Sequence, residues 1–351
     1  MTSTSAPLLS VRHLHTQFIS VDGTVARALE DVSFDVWPGQ TLGLVGESGC
    51  GKSTTLFSMM RLLPAAGRIT GGQVLFDGID LLTLSEREMR EYRWKHMAMV
   101  FQSAMNALNP VYTVGHQIRE AILLHEPVDK AAADKRTDDL LDLVGIATSR
   151  KEQYPHQYSG GMRQRAMIAM ALACQPRLLF ADEPTTALDV MVQAQVLELL
   201  KKIQRELGLA LVLVTHDLGV VAEACDAVVV MYGGKVAEYG STDAVYNAPQ
   251  HPYTQKFLEA FPDLNVPGEN LASIPGHPPR LNNLPPGCRF EPRCHKRIDV
   301  CASVAPKLID VSSVKDEGGR MKDDPTVFRP LPSAFKHLAA CHLCTGPEAT
   351  F

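Results

Sequence analysis

Residues 40–63, QTLGLVGESGCGKSTTLFSMMRLL, constrain this 351-residue chain more than any other stretch. An apolar run of strand length passes into a loop with glycine at 46, 49 and 51, and the loop opens a helix-like segment. A buried strand feeding a helix through so short a turn belongs to an α/β layer. Gly46–Ser53 also fits G-x-x-x-x-G-K-[ST], in which glycines let backbone N–H groups curl around phosphate oxygens. The start of the following helix adds positive potential. In that arrangement Lys52 reaches the β- and γ-phosphates of a nucleotide, and the Ser53 hydroxyl holds Mg²⁺.

The rest of the first 250 residues extends the same layer. LLSVRHLHTQFIS and TVARALEDVSFDV read as strands joined at Asp22-Gly23, a hairpin signal. GGQVLFDG and MAMVFQ add strands, and SEREMREYRWKH is a polar helix begun by the cap pattern Ser85-x-x-Glu88. Residues 103–160 read as largely helical. RLLFADEP and LALVLVTHD are buried strands, separated by the amphipathic helix DVMVQAQVLELLKKIQREL, and MRQRAMIAMALAC is a helix before them. AVVVMYGGKVAEYG is a hairpin turning at Gly233-Gly234. Strands alternating with helices predict a parallel sheet. Near residue 248 prolines become dense and periodicity fades. The expected organisation is a nucleotide-binding domain over 8–250, with a helical subdomain at about 90–163, and a loop-rich extension over 251–351.

Two acids, Asp182 and Glu183, end the strand LLFADE, about 130 residues after the glycine loop. One carboxylate there can hold Mg²⁺ through water, and the second can orient an attacking water as general base. His216 follows the strand LVLVT; taken alone, a histidine at a strand end is more often a cap or surface residue. Net charge is 34 − 39 = −5, which argues against a nucleic-acid partner. MTSTSAPLLSVRH lacks a basic stretch followed by an apolar core, and no run of about 18 apolar residues occurs. A cytosolic chain with reduced thiols is therefore expected.

Five of the eight cysteines follow residue 287, so the tail needs its own account. Their spacing is Cys288-x₅-Cys294-x₆-Cys301, then a long gap to Cys341 and Cys344. Four thiolates without oxygen ligands suit zinc or an iron–sulfur cluster. A zinc ribbon normally uses closer pairs, which only Cys341 and Cys344 offer, whereas wider loops suit a cube held by four separate thiolates. Arg289, Arg293, Lys296 and Arg297 are placed to offset negative charge at either centre. A metal staple would also compensate for an extension too poor in apolar periodicity to build a large core. Cys50, Cys174 and Cys225 read as small buried residues.

YSGGMRQR at 158–165 lies 20 residues before LLFADE. Together with GESGCGKST, VFQ, LLFADEP, ALD and VTHD, in that order, it resembles the motif set of ABC-transporter ATPase subunits over residues 8 to about 245. The resemblance implies a P-loop NTPase core with an antiparallel β subdomain and a helical subdomain, binding ATP and Mg²⁺. By position, Gly46, Ser48, Gly49, Gly51, Lys52, Ser53 and Thr54 match the phosphate loop. Gln102 matches the residue that contacts Mg²⁺ and water and senses the membrane partner. Ser159, Gly160 and Gly161 match the signature that contacts the γ-phosphate held by the opposite subunit. Asp182 matches the Mg²⁺ carboxylate, Glu183 the catalytic base, Asp189 the D-loop and His216 the switch histidine, while Phe18 is the aromatic expected on adenine. Met162 departs from the commonest signature, which has glutamine there.

FQSAMNALNPVYTVGHQI, YPHQYSGGMRQR, DEPTTALDVMVQAQ, HPYTQKFL, IPGHPP and GCRFEPRC narrow the resemblance to ATPases of dipeptide, oligopeptide and nickel importers. That family implies a second ATPase subunit, either a paralogue or the same chain, and two transmembrane permease subunits. It implies an extracytoplasmic substrate-binding protein acting indirectly, and a peripheral place on the cytoplasmic face of the inner membrane. Residues 103–109, SAMNALN, are the expected permease contact. Some members carry a [4Fe–4S] site in the extension, which maps onto Cys288, Cys294, Cys301 and Cys341. The cargo stays open between peptides and nickel or another small solute, and Cys344 stays open as an alternative fourth ligand. A soluble, non-transport ABC ATPase is the reading from a different class; it usually has two cassettes or long coiled-coil insertions, and this chain has neither.

Overall fold

The computed structural model describes residues 6–102, 107–186, 188–260, 273–312 and 335–344. The chain divides into two compact units, Met1–Leu82 with Thr215–Phe351, and Thr83–Val214.

The first unit opens with β1 (Leu9–Ile19), paired antiparallel to β2 (Val25–Val36). The Asp22-Gly23 turn between them places Gly23 at φ 81, a left-handed conformation that glycine adopts without steric cost. β3 (Thr41–Val45) is buried at every residue and runs into α1 (Lys52–Met59) through the glycine loop. β4 (Gly67–Phe76) takes the other edge of β1, and β5 (Ile79–Asp80) follows it, giving the antiparallel order β2-β1-β4-β5.

The second unit holds α2 (Glu86–Tyr92), β6 (Met97–Val100), α3 (Val114–His125), α4 (Lys130–Leu143) and α5 (Gly160–Ala171). It continues with β7 (Leu178–Asp182), α6 (Val190–Leu207) and β8 (Ala210–Val214). β6, β7 and β8 are parallel and fully buried. MAMV, LLFAD and ALVLV are near-continuous apolar runs, as strands covered on both faces require. Residues 103–106 of the expected permease contact lie outside the described residues.

The chain then returns to the first unit as α7 (Leu218–Ala224), β9 (Ala227–Tyr232), β10 (Lys235–Ser241), α8 (Thr242–Asn247) and α9 (Pro252–Glu259). β9 pairs parallel with β3, but β10 folds back on β9 at Gly233-Gly234 and is antiparallel. The sheet is therefore mixed where strand–helix alternation alone predicts a parallel one, because a two-residue turn permits only antiparallel return. β11 (Ile309–Asp310) and β12 (Leu338–Ala339) extend that antiparallel edge.

Among the described residues, the extension beyond α9 has no long element. It is held by side chains instead. Glu238, fully buried on β10, accepts from the N–H groups of Gln250 and His251 at 2.8 and 2.9 Å and lies 2.7 Å from His337 Nε2. A buried carboxylate so surrounded ties three distant stretches together, since leaving it unpaired is costly. Phe290 is buried among the rings of Tyr232, Tyr253 and His251.

Candidate nucleotide site

The phosphate loop is curled by its own backbone. Gly46 and Gly51 take φ 144 and 109, and a side chain on Gly46 would strike the Met231 carbonyl. Lys52 is buried and its ammonium donates to the carbonyls of Gly46 at 2.7 Å and Glu47 at 3.1 Å. Cys50 N–H donates to the Glu47 carbonyl, and the Gly234 N–H donates to the Cys50 carbonyl at 2.9 Å. Ser48 and Gly49 form the exposed tip. Cys50 is buried, and that burial raises its thiol pKa against the pull of Lys52, so it is not a reactive thiolate.

α1 begins differently from the other α-helices. Ser85, Thr113, Asp129, Ser159, Asp189, Asp217, Ser241 and His251 each cap a helix by accepting a backbone N–H. Among the described residues α1 alone starts without a side-chain cap, at Gly51, and has no acid in its first turn. With no capping side chain or acid there, the positive end of the helix dipole favours an anion. Phe18 is half-buried on β1, and its cross-strand neighbours are Ala26 and Gly67, both small. On this same unit, His216 is exposed immediately before Asp217, the cap of α7.

The second unit carries the acids. Asp182 is the buried last residue of β7. Glu183 follows at φ 43, a backbone region that residues with a Cβ seldom occupy. Its carboxylate oxygen Oε2 accepts from Gln102 Nε2 at 2.9 Å and from the Thr186 hydroxyl at 3.0 Å. Two donors on one oxygen restrain the carboxylate. Ser159 is the exposed N-cap of α5, accepting from Met162 N–H at 3.3 Å. Gly161 has a packing duty of its own, since a Cβ there would press on Val192 Cγ1 at 2.5 Å. Val192 N–H in turn donates to the Asp189 cap of α6 at 3.0 Å. The signature and D-loop residues are therefore packed together through Val192.

Two known families match stretches of the chain. Residues 29–186 match the ABC transporter family, and residues 237–301 match the oligopeptide/dipeptide transporter C-terminal region. The dipeptide transport ATP-binding protein DppD of Bacillus subtilis is 52% identical over 302 residues, 85% of this chain and 90% of that protein. The chain is an ABC-transporter ATP-binding protein. The oligopeptide transport ATP-binding protein OppD of Escherichia coli strain K12 is 48% identical over 85% of this chain and 89% of its own length. Among solved structures, the dimeric post-hydrolysis state of the ATP-binding cassette MJ0796, bound to ADP and Pi, matches with a TM-score of 0.60 at 28% identity. It covers 67% of this chain and 98% of that one. ABC ATPases of this kind couple ATP hydrolysis to transport, act as dimers and work with transmembrane permeases. Among the described residues, no helix of this ABC ATPase is long and apolar enough to cross a membrane.

In the extension of this ABC ATPase, Cys288, Cys294, Cys301 and Cys341 line one small cavity with His251 and His342. Cys344 does not line the cavity, but its thiol is hydrogen-bonded to that of Cys341 and lies 3.7 Å from the Gln250 carbonyl, so it stays beside the group as the alternative fourth ligand. Burial pushes the Cys288 thiol up to about 11 and that of Cys294 upward, so both are neutral thiols in this arrangement. Among the described residues, no three His, Cys, Asp or Glu side chains are grouped as ligands of a single ion. The four thiols share a wall without closing on one point. The basic residues nearby are largely engaged elsewhere, contrary to the sequence expectation. Arg289 pairs with Glu30 at 2.8 Å and donates to the Gly233 carbonyl, Arg293 pairs with Glu47, and Arg297 lies 3.3 Å from Glu291. Lys296 lines the cavity and donates to Gln255.

Sequence reading did not find Thr186 as the second donor to Glu183, nor Tyr253 and Arg293 as partners of Glu47. Thr186 lies in DEPTTALD, three residues after the acid, a spacing that was visible. The partners of Glu47 come from 206 and 246 residues away, and no local pattern announces them.

Proposed function

We propose that this chain is the ATP-hydrolysing subunit of an importer of di- or oligopeptides, working peripherally at the cytoplasmic face of the inner membrane. The observation that carries the reading is the second match, residues 237–301 to the oligopeptide/dipeptide transporter C-terminal region. Relatives named for dipeptide and oligopeptide transport agree over 85% of the chain.

Each side chain then has a task. Lys52 and the loop amides hold the β- and γ-phosphates of ATP, with Thr54 and the loop glycines shaping the cradle and Phe18 on the adenine. Ser53, Gln102 and Asp182 hold Mg²⁺, which neutralises charge between the phosphates when bound. Glu183 orients the attacking water, and His216 supports the γ-phosphate. Ser159, Gly160 and Gly161 serve the nucleotide of the partner ATPase, either a paralogue or a second copy, and Asp189 is the D-loop residue of the nucleotide site. The α5 dipole favours that anion. Two permease subunits receive the motion, and a binding protein outside the membrane supplies the peptide.

The four cavity thiols are the chain's own candidates to hold a [4Fe–4S] cluster, with zinc as the alternative. Four thiolate bonds from separate turns would staple the loop-rich stretch that carries them.

Glu183→Gln tests the catalytic reading. Hydrolysis should fall by at least about 100-fold, the usual scale for a general base, while ATP still binds. Persistent hydrolysis would remove Glu183 from its role. For the cargo, cells lacking this chain should lose uptake of labelled di- and oligopeptides and regain it with the wild type but not the variant. Unchanged peptide uptake with lost nickel uptake would move the cargo to the other branch.

A further inference from the structure

Glu47, the second residue of the phosphate loop, is electrostatically misplaced there. A loop built to receive phosphates gains nothing from a carboxylate beside them, since like charges a few ångström apart repel. The structure answers that charge from the extension. Arg293 grips Glu47 with two bonds, Nη1 to Oε2 at 2.6 Å and Nη2 to Oε1 at 3.0 Å. The Arg293 side chain is 5% exposed. It is fixed further by Nε to the Pro275 carbonyl at 2.8 Å, Nη2 to the Ile274 carbonyl at 3.2 Å and Nη1 to the Tyr232 hydroxyl at 3.2 Å. A planar guanidinium with every face of its fork engaged is a rigid counter-charge.

The backbone of the same residue is held as well. Glu47 N–H donates to the hydroxyl of Tyr253, a fully buried ring packed on Tyr232, Phe257 and Phe290. The Glu47 carbonyl accepts from Lys52 and from Cys50 N–H. One loop residue is thus fixed by its carboxylate, its N–H and its carbonyl, and two of the three holds come from beyond residue 250.

We propose that Arg293 is a positioning residue for nucleotide binding: it neutralises Glu47 and holds the phosphate loop in the shape that receives ATP. The inference rests on the ATPase reading above but adds a part that lies outside the nucleotide-binding motifs. Arg293 touches no phosphate itself. It acts through Glu47.

Binding of a fluorescent ATP analogue to the full chain tests this, in wild type, Arg293→Ala, Glu47→Gln and the double variant. Arg293→Ala should weaken binding about tenfold, the loss expected when a charge-assisted pair no longer offsets a carboxylate. Glu47→Gln in that background should restore most of the affinity, because the charge that needed neutralising is gone. A merely structural role predicts otherwise: a lowered melting temperature with unchanged affinity, or a weakened affinity that Glu47→Gln does not rescue. Either result overturns the proposal. Should Arg293→Ala fail to fold, Arg293→Lys carries the test, keeping a charge but losing the two-bond grip. An affinity equal to wild type would then sink the idea. Failure of the wild type to bind the analogue would instead strike the ATPase reading.

Discussion

Two glycines of the phosphate loop show how different constraints share one motif. Gly49 sits at φ 78 with nothing within 4 Å of an added Cβ. Gly51 sits at φ 109, where a Cβ would meet Leu29 Cδ2 at 2.8 Å and the Ala28 carbonyl at 2.9 Å. Without nucleotide, Gly49→Ala should cost only left-handed strain of about 1–2 kcal/mol. Gly51→Ala should cost that and a further ~1–3 kcal/mol of overpacking against a backbone that cannot retreat. Urea unfolding of the two variants checks the order; equal midpoints would mean that the Ala28 segment yields. The glycine spacing was legible in the sequence because it is local and backbone-driven. The left-handed backbone of Glu183 was not, since the Gln102 bond to its carboxylate comes from 81 residues away. Nor did anything in GESGCGKS hint that its glutamate is answered by an arginine of the tail.

At the scale of elements, the caps were the most legible feature. Ser85-x-x-Glu88 predicts a capping box, and the structure has both halves: Glu88 N–H donates to Ser85 Oγ at 3.3 Å, and Ser85 N–H donates to Glu88 Oε2 at 2.7 Å. Ser85→Ala should lower stability by about 1 kcal/mol and leave ATP affinity unchanged, because α2 holds no residue of the nucleotide site. Thermal unfolding and the same binding assay read both; a changed affinity would show that α2 reports to the site. Buried strands were equally plain, as MAMV, LLFAD and ALVLV admit no solvent-facing side. The antiparallel edge was harder to foresee. β11 and β12 are two residues each, too short for any periodicity, and exist because β10 offers them a partner. Ser159 and Asp189 carry a second lesson. Each is a helix cap within this chain and also, in the proposed function, a residue of the nucleotide site, Ser159 in the signature and Asp189 in the D-loop, so alanine at either position should lose about 1 kcal/mol of stability as well as hydrolysis.

At the scale of the whole molecule, one short stretch of the extension, GCRFEPRC, joins Tyr253 in holding the phosphate loop. Arg289 and Arg293 reach out from it to Glu30 and Glu47, while Cys288 and Cys294 line the thiol cavity beside them. The chain between these anchors makes only a single turn of 3₁₀ helix, Glu291–Arg293. With so little secondary structure of its own, this stretch takes its shape from its two ends. On one side are the salt bridges; on the other, under the cluster reading, are the metal–thiolate bonds. Loss of the metal end should therefore loosen Arg293, and with it Glu47. Protein purified without oxygen should be brown, with about four irons per chain if the centre is the cube. Cys301→Ser should lose the colour and the iron, and should weaken binding of the ATP analogue in the same direction as Arg293→Ala. Glu47→Gln should blunt that second effect, because it removes the carboxylate through which the loosened arginine acts. Iron lost with affinity intact would leave the staple as a local brace, uncoupled from the nucleotide. One zinc and no colour would keep the staple and change its metal, and the binding measurement would retain its meaning. Protein free of both metals would leave the aromatic packing of Phe290 and the two arginine bridges as the forces that hold the tail to the loop it serves.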